Sequence, residues 1–424
     1  MAHSFKLHSV NVLDLGYCTA SRLGTWAETS GSSVVAETSS IAIPTGPAPA
    51  GNLREMVRQF TPNWFGATMG TGVLALALNQ FPMNVPGLHE IARGLWFLNI
   101  ALFLLLSSMY AARWVFFFHE AKRIFQHPVV SMFFGTIPMG LATIINGFIA
   151  FGIPMWGETA LGIAHGLWWL DVAMAIACGL LIPFLMFTRQ EHSLEKMTAV
   201  WLLPIVASEV AAASGALLVP LLDPAEGYAI QIISYALWAF SVPIAMSILV
   251  ILLLRLILYK LPTRDMAASS WLALGPIGTG ALGLLLLGSN GPAVFAARDV
   301  PILGDVGLGI GIIGGTILWG YGAWWLMLAI LKTLRYTREG MPFNIGWWAF
   351  TFPLGVYSLA TLALARATHL GFFHVAGGVL IVCLAGFWLL VMSRTLHGAW
   401  RGYLFFSPCL VSGIAPIEPQ PKRG

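Results

Sequence analysis

Charge is what this sequence has least of: Lys, Arg, Asp and Glu make up 9% of its 424 residues, against 58% hydrophobic residues. So few ionisable side chains cannot cover a folded surface that water would solvate, which excludes a soluble fold and makes a bilayer the natural solvent. Cysteine is scarcer still, at four residues. Cys18, Cys178, Cys383 and Cys409 stand apart with no paired spacing, which removes a disulfide framework and a zinc-binding motif. Catalytic signatures are missing as well. His119-Glu120 lacks the second histidine of a zinc-protease helix, and neither a Gly-x-Ser-x-Gly elbow nor a Walker-type phosphate loop occurs. The chain is therefore not expected to be an enzyme or to hydrolyse ATP, and nothing in it calls for a cofactor, a metal or nucleic acid.

What the sequence does have is ten apolar stretches long enough to cross about 30 Å of hydrocarbon. They fall near residues 62–81, 92–116, 128–151, 160–187, 201–221, 228–259, 271–289, 305–331, 343–365 and 372–394, and the mean hydropathy is +0.79. Basic residues cluster on one side of them. Arg113, Lys122, Arg123, Arg189, Lys196, Arg255, Lys260, Arg264, Lys332, Arg335 and Arg338 lie at or after the ends of even-numbered stretches, whereas Arg93, Arg298 and Arg366 alone follow odd-numbered ones. The positive-inside rule then places both termini in the cytoplasm; the expected location is the plasma or inner membrane. Residues 1–51, rich in Ser, Thr, Ala, Gly and Pro, read as a disordered tail. Residues 52–400 form the membrane domain and 401–424 a second tail. Leu53, Met56, Val57 and Phe60 suggest a short helix lying on the inner leaflet.

Odd and even stretches differ in kind. Odd ones are rich in Gly, Ala and Ser; even ones are longer and carry Trp96, Trp114, Trp168, Trp169, Trp238, Trp324, Trp325 and Trp388. Aligning the odd stretches on Pro138, Pro204, Pro276 and Pro353 brings Pro-Met-Gly, Pro-Ile-Val, Pro-Ile-Gly and Pro-Leu-Gly into register, with Thr68-Met69-Gly70-Thr71-Gly72 lying over Pro276 to Gly280. The anchors recur roughly every 70 residues, about one membrane hairpin. Trp64, Trp201, Trp271 and Trp348, with Phe133 and Phe134, precede them as interfacial anchors. The expected fold is all-α: five repeated hairpins, with an inner ring of proline-kinked odd helices around a central pore and an outer ring of even helices against lipid.

Positions three apart share a helix face, which gives three candidate pore layers. The first is Ala67, Ile137, Leu203, Gly275 and Phe352; the second Gly70, Gly140, Val206, Gly278 and Gly355; the third Val73, Thr143, Glu209, Ala281 and Ser358. One aromatic ring facing smaller apolar residues makes Phe352 the candidate gate, ahead of Phe350. Glu209, a lone acid deep in an odd stretch, is expected to be protonated, ion-paired or a proton-coupling group. Asp171 and His165 are expected to find partners between helices. Arg93, Arg298 and Arg366 would either concentrate anions at the external mouth or snorkel to the interface. Gly307, Gly311 and Gly315 form a small-residue stripe suited to helix packing or a subunit contact.

Trp64-Phe65-Gly66-Ala67-Thr68-Met69-Gly70-Thr71-Gly72, Phe134-Gly135-Thr136-Ile137-Pro138-Met139-Gly140 and Trp347-Trp348-Ala349-Phe350-Thr351-Phe352-Pro353 resemble the tellurite-resistance/dicarboxylate transporter family. That family takes in bacterial tellurite-resistance proteins, fungal malate permeases and sulfite efflux pumps, and plant slow anion channels. The similarity runs from about Phe60 to Leu396. It implies ten helices in a fivefold ring, a pore through each subunit of a homotrimer, and a gating phenylalanine on the ninth helix, which Phe352 matches. Gly135 to Asn146 leans towards the sulfite-efflux branch. The expected function is passage of small anions, C4-dicarboxylates such as malate or sulfite-like oxyanions, through a channel-like or facilitative path, eased by the hydroxyls of Thr71, Thr143, Thr279 and Ser358. Two alternatives stay open: a proton-coupled transporter using Glu209, and a non-transporting membrane sensor or scaffold.

Overall fold

The computed structural model describes residues 53–405, and these form helices and connecting turns with no strand among them. Of the expected tails, residues 1–51 and 406–424 lie outside the described residues, whereas Tyr403–Phe405, within the expected second tail of 401–424, form a 3-10 turn. Among the described residues nine helices are long and apolar enough to cross a membrane, and they fall into two classes. Leu88–Phe116, Glu158–Thr188, Pro224–Tyr259, Pro301–Arg338 and Gly371–Trp400 are 17–33% buried over their most apolar windows, whereas Val130–Trp156, Ala199–Leu221, Arg264–Ala296 and Ile345–Thr368 are 67–94% buried. We call the first class the long helices. Leu104, Leu180, Phe184, Ile257, Ile317 and Val379 stand exposed on them, a surface suited to lipid and not to water. The expected first stretch, 62–81, is a shorter segment outside the nine: Pro62–Phe65 followed by Gly66–Asn79. It is rich in Gly, Ala and Thr, and Ala67 to Ala77 are all buried, so it is covered by protein.

Five buried α-helices thus exist in chain order: Gly66–Asn79, Thr136–Gly147, Leu203–Leu218, Leu274–Ala296 and Phe352–Thr368. Each contacts the next and the fifth contacts the first, while each long helix packs on the buried helix that precedes it. Every buried helix is entered through a 3-10 segment: Pro62–Phe65, Val130–Gly135, Ala199–Leu202, Arg264–Ala273 and Ile345–Phe350. Thr68, Thr136 and Thr351 tie three of these entries down, donating to the carbonyls of Phe65, Phe133 and Trp348 at 2.6–2.8 Å.

The prolines take their meaning from these entries. Pro204 and Pro353 occupy the first two positions of their α-helices, and Pro138 and Pro276 lie in the first turn of theirs. There the missing N–H is one that a helix start leaves unpaired anyway. They mark the change from 3-10 to α instead of kinking a helix in its interior, because no hydrogen bond of an established α-ladder is lost.

Gly288 and Gly311 meet closely: a Cβ on Gly288 would come 2.8 Å from the Gly307 carbonyl and 3.0 Å from Gly311 Cα. The Gly307–Gly311–Gly315 stripe therefore faces the fourth buried helix of its own chain, which is the helix packing expected of it, and its alternative reading as a subunit contact finds no support. Of the expected surface helix, Leu53–Arg58 forms and Leu53 is exposed, but Phe60 lies past its end, fully buried against Trp64, Phe65 and Tyr110.

Candidate functional site

The five 3-10 entries surround a cavity of about 480 Å³. Asn63, Phe133, Val200, Leu272 and Trp348, one from each entry, line it, and Leu404 and Phe405 complete the wall, Phe405 stacking on Trp64 with centroids 4.8 Å apart. It is mostly apolar. Thr61, Asn63, Ser269 and Asn344 add polar edges, and Asp265 is the one charged residue on its wall among the described residues. The cavity lies at the end of the molecule that carries the basic connecting segments. There Arg58 holds Glu120 at 2.8 Å, and that hydrogen bond and charge raise the guanidinium above its ordinary value.

The cavity ends at the first turns of the buried helices, where Met69, Thr136, Leu203, Phe352 and Pro353 reach its wall. Phe352 is only 3% exposed there, beside Leu203 at 5%. Of the first expected layer, Leu203 and Phe352 line the cavity; Ala67 is buried, Ile137 half-buried, and Gly275 lies next to empty space, since a Cβ there would meet nothing beyond its own stretch of helix within 4 Å. Phe350 points elsewhere, stacking on Phe387 at 5.2 Å.

The second expected layer is not one layer. Gly278 faces Tyr357 and Gly355 faces Val73, each on the following buried helix, whereas Gly140 faces Thr68 on the preceding one and Gly70 faces Trp348 and Thr351 at the entry to the preceding one. The proline-based register therefore slips between repeats, and these glycines set the spacing of neighbouring helices. Val206 is buried at 3%.

Hydroxyls differ in the same way. Thr71 accepts a hydrogen bond from Trp388, and Thr143 accepts one from Asn99 at 2.9 Å and donates to the Gly140 carbonyl. Both are thereby held towards long helices and not left open to a path. Ser358 donates to the Leu354 carbonyl at 2.7 Å. Thr279, 1% exposed, has no partner for its hydroxyl.

Glu209 is fully buried and faces outward: Oε2 lies 3.2 Å from Ser241 Oγ on the third long helix, and Oε1 has no partner. Ser241 has a single hydroxyl hydrogen, and the Ile205 carbonyl, 2.8 Å away, can only accept it. Ser241 Oγ donates towards that carbonyl and faces Glu209 Oε2 as well. Glu209 has no basic partner and does not line the cavity. His165 pairs with Glu226 at 3.2 Å as expected, but both carboxylate oxygens of Asp171 are buried without a partner. Arg93 pairs with Glu90, and Arg298 lies over the Tyr228 ring at 4.8 Å.

A repeated tryptophan link went unread in the sequence. Trp96 donates to the Ile144 carbonyl, Trp168 to Ala211, Trp238 to Gly280, Trp319 to Thr361 Oγ1 and Trp388 to Thr71 Oγ1, at 2.8–3.2 Å. Each indole belongs to a long helix and reaches the next buried helix, so every long helix bridges two buried ones. Tryptophan on each even stretch was the available signal, since a buried indole N–H must find an acceptor.

Long apolar helices wrapped around a closed set of buried ones, with a chamber at one end, define a membrane protein of the channel and transporter class. The chain belongs to the voltage-dependent anion channel family, which residues 59–396 match. The sulfite efflux pump SSU1 of Trichophyton rubrum is 41% identical over 352 residues, 82% of this chain and 93% of that protein. An uncharacterized transporter of Methanocaldococcus jannaschii is 29% identical over 83% of this chain and 96% of its own length. The malic acid transport protein of Schizosaccharomyces pombe is 24% identical over 88% and 85%. These are names of channels and transporters, not of enzymes, and the resemblance read from the first, third and ninth stretches is borne out.

Proposed function

We propose that this protein passes sulfite-like oxyanions out of the cell through a path enclosed by the five buried helices. The observation that carries this reading is the closed set of buried helices whose starts surround the chamber, within a chain of the anion channel family. Sulfite is favoured over malate because identity to the sulfite pump is 41% and to the malate transporter 24%.

In this reading the nine apolar helices and the shorter Gly66–Asn79 form ten spans, arranged as five hairpins. Anions collect in the chamber from the cytoplasm, where the basic loops face. Phe352 closes the path at the chamber floor, because a buried ring among apolar neighbours excludes water and with it a hydrated ion. The plasma-membrane setting and the homotrimer rest on the family resemblance. A facilitative path is preferred to proton coupling through Glu209, whose carboxyl is engaged by Ser241 away from the chamber.

The test is efflux of sulfite, malate, nitrate and chloride from proteoliposomes containing the purified protein. Sulfite efflux above protein-free vesicles, without an imposed proton gradient, is expected. Efflux that appears only with a proton gradient would replace the facilitative mechanism by a coupled one, and no anion efflux at all would remove the transport reading.

A further inference from the structure

Thr279, Ser208 and Ser214 are the hydroxyls of the buried helices left without a hydrogen-bond partner among the described residues, and of the three Thr279 alone has a glycine bordering open space one turn away. Thr143, Ser358 and Thr361 each donate to a carbonyl three or four residues back at 2.7–2.8 Å, the usual way for such a side chain to satisfy itself inside a membrane helix. Thr279 makes no such bond, although it is as buried as they are. An unmade hydrogen bond at a buried hydroxyl costs about 1–3 kcal/mol, so the position calls for an acceptor that comes and goes.

Its surroundings say where that acceptor travels. Gly275, one turn earlier on the same face, is buried yet borders empty space, as no atom beyond its own stretch of helix lies within 4 Å of where its Cβ would be. Leu282 and Leu286, three and seven residues later on that face, are half-exposed within an otherwise buried stretch, and Leu272 before them lines the chamber. The other faces of this helix are occupied: Gly278 meets Tyr357, Gly280 meets Val242 and Leu318, and Gly283 meets Trp238. Chamber wall, void, free hydroxyl and accessible leucines thus follow one another along a single stripe.

We infer that Thr279 is the hydrogen-bond donor a permeating anion meets on passing Phe352, and that it favours oxyanions over halides. An oxyanion presents an oxygen that accepts a short, directed O–H···O bond, which a spherical halide uses less well. The void at Gly275 gives the ion room to reach it. The inference rests on the transport reading above, and the experiment separates the two.

Anion currents are compared under sulfite and chloride gradients in a Phe352→Ala background, with Thr279→Val, Thr279→Ser and Gly275→Ala added singly. Thr279→Val is expected to lower the sulfite-to-chloride permeability ratio roughly tenfold or more, and Thr279→Ser to keep it. Gly275→Ala, whose methyl enters open space and so leaves the fold intact, is expected to reduce the sulfite current more than the chloride current. A parent that conducts while Thr279→Val and Gly275→Ala leave the ratio unchanged overturns the inference and leaves transport standing. A Phe352→Ala parent that passes no anion overturns both.

Discussion

Trp388 Nε1 donates to Thr71 Oγ1 at 3.0 Å, joining the last long helix to the first buried helix across 317 residues of sequence. It is the member of the fivefold indole series that closes the molecule on itself. The other four join consecutive segments, whose connection by the chain already keeps them close. This one has no short connection behind it, so bringing its partners together costs more chain entropy than for any of the others.

Replacing Trp388 by Phe, or Thr71 by Val, is expected to destabilise the detergent-solubilised protein by the net value of one hydrogen bond, about 0.5–1.5 kcal/mol. The double variant should be little worse than either single one, because both remove the same contact. Apparent melting temperatures of the four proteins give the cycle. Strictly additive losses would mean that the two side chains are not coupled.

Gly355 meets Val73 across the same seam, where a Cβ would fall 2.5 Å from the valine methyls. Gly355→Ala should therefore lose about 1–3 kcal/mol by overpacking. Adding Val73→Ala should restore much of it. If the second substitution instead deepens the loss, the seam is not as close as described.

Gly311 lies against the Leu284 carbonyl and Gly288 of the same chain, not on a free surface. Gly311→Leu should consequently reduce the yield of folded protein, read by size-exclusion chromatography in detergent. A well-folded variant that merely changes its assembly size would restore the subunit-contact reading.

Glu209 bears on mechanism. Since its carboxyl meets Ser241 and no cavity wall, Glu209→Gln, which keeps both hydrogen-bonding atoms, should leave sulfite flux and its pH profile within about twofold of the wild type. Loss of pH dependence in that variant, with flux otherwise retained, would bring proton coupling back.

Much of this architecture was legible in composition. A sequence with few charges and alternating small and bulky apolar stretches must bury one set and expose the other, and the contrast between Ala199–Leu221 at 94% and Pro301–Arg338 at 17% buried is that alternation made solid. Phe352 could be placed because the residues around it carry a family motif. Side-chain direction could not. Gly70 and Gly278 look equivalent when aligned on the prolines, yet they turn to opposite neighbours, because a shift of one or two residues rotates a helix face by 100° or more. Thr71 and Thr143 were read as lining a path for the same reason, when indole and amide donors on the long helices hold them outward. Trp319, which escaped notice in the sequence, shows the limit from the other side: its role exists only through Thr361, 42 residues away.

The most direct test of the central claim is anion current through bilayers containing wild-type protein or Phe352→Ala, under matched sulfite gradients. Removing the ring at the chamber floor should convert a nearly closed path into an open one, with current rising at least tenfold and remaining selective for anions over cations. A Phe352→Ala protein that is folded, reaches the bilayer and conducts no better than the wild type would contradict the account.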